Sequence, residues 1–201
     1  MSDQTPYPPP PEEPSQPGYQ QGYGSGYQPA PPPMPPPSGT ERAGLGVRLL
    51  ARLVDYIILG IVLYLVDRLI IGSMFNTNGS SVMAYGSTYA AIALSSVISA
   101  AVYLGYFSLM ESRNGQTLGK MMLKLQTRGP GGGTPTMQES VRRNLWTAAS
   151  VLAIIPFIGG LLGGLAQLVA VISIMVTIAN SPTKQGWHDQ FAGGTEVVRL
   201  A

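Results

Sequence analysis

At 201 residues, 45% hydrophobic and only 11% charged, the chain holds one compact membrane bundle's worth of apolar segments and has no room for a large soluble domain. Its 12 basic and 10 acidic residues leave a net charge of +2. That is too small to suggest a nucleic-acid partner, and the basic residues flank apolar runs, where they set membrane topology. Cysteine is missing altogether, which removes disulfide and thiol chemistry.

Residues 1–40 hold 14 of the 18 prolines, four tyrosines and Gly-Tyr steps at Gly18, Gly22 and Gly26. Such a composition cannot bury a core, and its proline runs favour polyproline II, so a disordered tail is expected. It is a ligand for a soluble proline-binding module, a Tyr-driven self-association segment, or a solvated leader.

The first apolar run, residues 49–71, is long enough to cross a bilayer and lies too far along the chain for a secretory leader. Arg48, Arg52 and Asp55 follow one another at helical steps of four and three and share one narrow face. An unpaired carboxylate about two turns inside such a helix costs of order 2.5 to 3.5 kcal/mol, so Asp55 is expected to pair with a guanidinium of its own helix.

A polar, uncharged stretch at 72–86 leads to a second expected span at 87–110, with small residues at Ser95 and Ser99 that let helices approach closely. The hydrophilic loop from Glu111 to Asn144 carries six of the 12 basic residues. With Arg42, Arg48 and Arg52 it puts the N-terminus and this loop in the cytoplasm and the 72–86 stretch outside. Within the loop, Leu123, Leu125 and Thr127 alternate with polar residues as in a strand, and a helix is expected to begin near Thr136 with Glu139 in its first turn.

Residues 145–179 form a 35-residue apolar stretch broken by Pro156 and four glycines. As one helix it would be about 52 Å long, so spans at 145–158 and 161–179 are expected, with Gly160 and Gly164 as a helix-packing pair. Four crossings return the C-terminus to the cytoplasm. The alternative makes 145–158 interfacial or re-entrant and leaves the C-terminus outside. Near the end, His188 sits beside Asp189, and Thr195–Leu200 has a strand pattern that could pair with 123–128. The expected fold is therefore an all-α membrane bundle of about four transmembrane segments with a short cytoplasmic β-hairpin-like element.

Four stretches in order carry a resemblance: Arg48-x-x-Ala51-x-x-x-Asp55, Asn114-Gly-Gln-Thr-Leu-Gly-Lys120, Arg142-Arg143-Asn144, and Gln185-Gly-Trp-His-Asp189 followed by Ala192-Gly-Gly-Thr195. Over residues 43–200 the chain resembles the RDD family of membrane proteins, named for an arginine and two aspartates that correspond here to Arg48, Asp55 and Asp189. It departs from the pattern at Gln190, where a basic residue is usual, and in the second glycine of Ala192-Gly193-Gly194-Thr195. The resemblance implies a multi-pass protein of the cell membrane and a role in transport, some members being linked to sodium/proton exchange.

Three readings follow. Arg48, Arg52, Asp55, His188 and Asp189 form an ion site, with Asp55 switching between protonated and cation-bound forms and Asp67 at the outer mouth. Alternatively, the same charges form a structural clasp with nothing transported. In the third, the membrane domain anchors a scaffold that recruits partners through residues 1–40. A bundle this small leaves a monomer little space for alternating access, so transport would require a homo-oligomer. Enzyme chemistry is not expected: a single histidine, no cysteine and no Gly-x-Ser-x-Gly motif leave neither a metal set nor a nucleophile elbow, and no cofactor is implied.

Overall fold

The computed structural model describes residues 41–71 and 81–200. The expectations for the tail at 1–40 and for most of the 72–86 stretch lie outside the described residues. In chain order the elements are β1 (Glu41–Arg42), α1 (Leu45–Val66) running into a π turn (Asp67–Ile71), α2 (Ser81–Asn114), α3 (Leu118–Met122) and β2 (Leu125–Arg128). There follow α4 (Met137–Asn144), a 3₁₀ segment (Leu145–Ile154), α5 (Gly159–Asn180), α6 (Trp187–Phe191) and β3 (Glu196–Arg199).

Three stretches among the described residues are helical, long and apolar enough to cross a membrane: Leu45–Leu69, Thr88–Asn114 and Gly159–Asn180. α1 buries Ala51, Asp55, Leu59 and Leu63, one residue per turn, and leaves Leu53, Ile57, Ile61 and Tyr64 exposed on its other faces. An apolar stripe exposed in this way is stable only where the surroundings are themselves apolar. α2 buries Phe107, whose ring lies edge-on to Tyr56 and Tyr106 and stacked with Tyr103. The aromatic cluster ties α2 to α1.

Residues 145–158, expected as a short third span or an interfacial segment, form a ten-residue 3₁₀ segment and a turn. The segment follows α4 directly: Asn144 departs from helical backbone at φ −102°, ψ 2°, and Leu145 returns to it. α4 itself starts on the capping box of Thr136 and Glu139, whose side chains each bond the other's backbone N–H. At the far end Ile155 leaves the helix, Phe157 takes a left-handed backbone with φ +64°, and α5 begins at Gly159.

The packing pair also differs from expectation. Nothing lies within 4 Å of where a side chain would stand on Gly160 or Gly164. A methyl group on Gly159 would overlap the Leu152 carbonyl, and one on Gly163 would sit 3.0 Å from that of Ala149. The close approach to the 3₁₀ segment thus uses the same four-residue spacing one position earlier.

The strands form a three-stranded antiparallel sheet in the order β1-β3-β2, where two strands were expected. β2 lies against β3 with Leu125 opposite Arg199 and Arg128 opposite Glu196, and β1 joins the other edge of β3 with Arg42 opposite Val198. Leu125 and Val197 pack with Ala43 and Ala51 into a small buried core under the start of α1. The sheet, α3, α4 and α6 together cap one end of the bundle.

Candidate functional site

Beneath that cap, charged side chains that would be costly to bury singly are buried together. Asp189, fully buried on α6, is the first node. Its Oδ2 accepts from Arg48 Nη1 at 3.1 Å and from the Gly186 N–H at 3.0 Å. Its Oδ1 lies 3.1 Å from Arg143 Nη2, 3.3 Å from Thr195 Oγ1 and 3.4 Å from His188 Nε2. Arg48 also donates to the carbonyls of Ala43 and Val197, so one guanidinium fastens α1 to β3 and α6 at once. Burial alone would raise the Asp189 pKa. Arg143, then His188 and Arg48, with the Gly186 N–H, overcome it and hold the carboxyl well below the usual carboxylate range. Burial pushes His188 down to about 4, Arg143, Arg52 and Arg48 adding to it and Asp189 opposing, so the imidazole is neutral at neutral pH.

Glu111, at the end of α2 and fully buried, is the second node. It pairs with the Lys120 ammonium, accepts from Asn144 Nδ2 at 2.9 Å and lies 3.8 Å from Arg143 Nε. Arg143 therefore bridges the two nodes. Lys120 also donates to Thr127 Oγ1 at 2.7 Å. Burial lowers the Lys120 pKa to about 8 despite the opposing pull of Glu111.

Asp55 is the third node, and here the expected guanidinium partner is corrected. Among the described residues no cation pairs with it. Tyr106 OH donates to Oδ1 at 2.8 Å, the Gly119 N–H to Oδ1 at 2.7 Å and Thr117 Oγ1 to Oδ2 at 2.6 Å. Several donors can hold a buried carboxylate as a cation would. α3 lies so close to α1 that a methyl on Gly119 would overlap the Ala51 carbonyl. Only glycine brings its N–H within reach there.

Arg52 points elsewhere. Its guanidinium lies 3.4 Å over the Phe107 ring and 5.2 Å from Trp146, and Nη2 donates to Asn144 Oδ1 at 3.0 Å. No carboxylate pairs with it among the described residues, and its buried Nε has no hydrogen-bond partner there, nor does Nη1 of Arg143. Four cations (Arg48, Arg52, Lys120 and Arg143) thus meet three carboxylates (Asp55, Glu111 and Asp189). With Asp55 held by hydroxyl and amide donors alone, Arg48, Lys120 and Arg143 share two carboxylates, and Arg52 adds a further charge that no carboxylate among the described residues pairs with.

Three cavities lead away from this cluster. The first, about 510 Å³, is lined by Arg52, Glu111, Lys120, Arg143 and apolar residues of α1 and α5. The second, about 490 Å³, shares Tyr56, Trp146 and Val171 with the first. A third, about 480 Å³, shares Gly164 and Gln167 with the second and reaches Asp67 past Ser95, Ser99 and Ser150. Asp67 accepts from Ser95 Oγ at 2.8 Å. Neither Asp55 nor Asp189 lines any of the three, whereas Arg48, Arg52 and His188 line the first.

Of the residues singled out in the sequence, Arg48, His188 and Asp189 are in contact, and Asp55 and Arg52 occupy separate settings. Glu111, Lys120, Arg143 and Asn144 belong to the cluster but carried no expected role, although Lys120, Arg143 and Asn144 lie in the stretches that bear the family resemblance.

Comparison with curated proteins and with solved structures gives no match. The family model described as RDD family matches residues 42–193, more than half of the chain, and takes in Arg48, Asp55 and Asp189. This membrane protein belongs to the RDD family.

Proposed function

We propose that the chain is a transport protein whose path runs along the three cavities between Asp67 and the charge cluster, with Arg48, Asp55 and Asp189 as the clasp that holds the cap in place. The observation that carries this is the adjacency of the cavities: Tyr56, Trp146 and Val171 line both the first and the second, and Gly164 and Gln167 line both the second and the third. A cation site at Asp55 has less support, because its carboxylate is saturated by hydroxyl and amide donors and lies off the path.

The topology proposed with it is multi-pass in the cell membrane, with the N-terminus, the cap and the cluster cytoplasmic, as the basic residues around them favour. Because β1 is bonded to β3, residues 42 and 198 lie on the same side. An even number of passages satisfies this, and the 3₁₀ segment with the turn after it serves as the outgoing limb before α5.

Single cysteines test both path and topology, since the natural chain has none to remove. In reconstituted vesicles a small membrane-impermeant thiol reagent should modify Ser99→Cys and Gln167→Cys much faster than Ile172→Cys, which is exposed on α5 outside the three cavities. Equal, slow labelling of all three overturns the path.

A further inference from the structure

The first cavity combines two chemistries that a small soluble ion would not need together. Its floor is cationic. Arg48, Arg52, Lys120 and Arg143 line it against Glu111 as the one carboxylate in the lining. Arg52 brings to this lining a charge that no carboxylate among the described residues pairs with, its Nη2 donating to the neutral Asn144 amide at 3.0 Å. Buried guanidinium donors of this kind match phosphate and carboxylate oxygens.

Its walls are apolar. They come from Leu45, Leu49 and Leu53 of α1 and from Val171, Ile174 and Ile178 of α5, within two of the stretches apolar enough to cross a membrane. α1 and α5 touch only sparsely. Leu49, Leu50 and Leu53, all in the lining, are 37%, 48% and 55% exposed. The gap therefore opens sideways, toward the surroundings of the apolar helices. A soluble anion would use the floor and leave the walls idle, whereas an amphiphile would use both.

Resting on the transport reading above, we infer that the solute is an anionic phospholipid: its head group occupies the cavity beside Arg52, its acyl chains leave through the gap between α1 and α5, and the head group crosses along the cavities lined by Gln167 and Ser99. Hydroxyls and the Gln167 amide replace water for a phosphate on its way past the bilayer centre, while the chains never leave lipid.

The test uses the purified chain in phosphatidylcholine vesicles with trace tail-labelled phosphatidylglycerol or tail-labelled phosphatidylcholine, quenched from outside by dithionite, alongside release of entrapped radiolabelled phosphate. The protein should expose inner-leaflet phosphatidylglycerol to quenching faster than phosphatidylcholine. Arg52→Gln should slow phosphatidylglycerol by at least about tenfold, in line with losing a buried charged contact, while Arg52→Lys keeps the preference for the anionic lipid. Size-exclusion elution and thermal unfolding matched to the native chain establish that each variant is folded. Equal rates for the two lipids, unaffected by Arg52→Gln, overturn the anionic preference. Phosphate release without lipid movement overturns the lipid and leaves the path standing, whereas neither kind of movement overturns both. Disulfide cross-linking of two copies through Leu53→Cys, with no lipid movement, overturns the inference in favour of a dimer that closes the gap.

Discussion

The two ends of this bundle are held by different physics. At the capped end, seven charged side chains with Tyr106, Thr117, Asn144 and Thr195 form a dense buried network. At the Asp67 end, contact depends on small residues, Gly159 and Gly163 against the 3₁₀ backbone, and on one Ser95–Asp67 hydrogen bond. Polar networks are intolerant of losing one member, because the remaining charges stay buried without partners. Close packing of small residues is local, and each contact counts for less. The capped end should therefore be brittle and the other end forgiving.

The sharpest way to break this contrast is Asp189→Ala. It strands Arg48 and Arg143, and a loss of about 3–5 kcal/mol is expected for removing one partner from a buried ion cluster. In fluorescence-detected size exclusion the variant should lose its monodisperse peak, while Ser95→Ala keeps it. Next comes Gly119→Ala, whose methyl would collide with the Ala51 backbone and cost about 1–3 kcal/mol. Gly160→Ala, facing open space, should leave thermal unfolding unchanged.

Acid should act on the capped end too. His188 has its folded pKa lowered from 6.5 to about 4, so between those values the unfolded chain binds more protons than the folded one. Stability is then complete above 6.5 and is lost as pH falls toward 4, by at most about 3 kcal/mol. Asp189, also held low, extends the loss further into acid. His188→Gln should flatten the unfolding temperature between pH 6.5 and 4 while leaving the steeper fall below it. A much smaller loss is expected at the other end. Ser95→Ala removes the bond to Asp67 and should cost about 0.6 kcal/mol, the average for a polar contact inside a membrane bundle.

How much of this was legible in the sequence varied with the range of the interaction. The helical run of α1, the alternation that places Leu125 and Thr127 in β2 and the Thr136–Glu139 helix start are local signals, and the structure has each of them. The partner of Asp55 was not local. Helical spacing put Arg48 and Arg52 on its face, but hydroxyl and amide donors from residues 106, 117 and 119 arrive through tertiary packing. Glu111, Lys120 and Arg143 looked like ordinary loop charge, because nothing along the chain indicates that they fold inward on one another. The double glycines at 159–160 and 163–164 offered two equal registers, and the backbone of the 3₁₀ segment chose between them.

The 3₁₀ segment also bears on the lipid around the molecule. Its ten residues measure about 20 Å at a rise of ~2 Å each, beside an α5 of 22 residues and about 33 Å. In the topology proposed above, with this segment as the outgoing limb, the hydrophobic thickness on that flank is well short of the bilayer's ~30 Å, with fully exposed Phe157 at the end of the shortfall. Under that topology lipids there compress or are replaced by shorter-chained neighbours, so the chain should partition toward thinner membranes and dimple thicker ones on one side only.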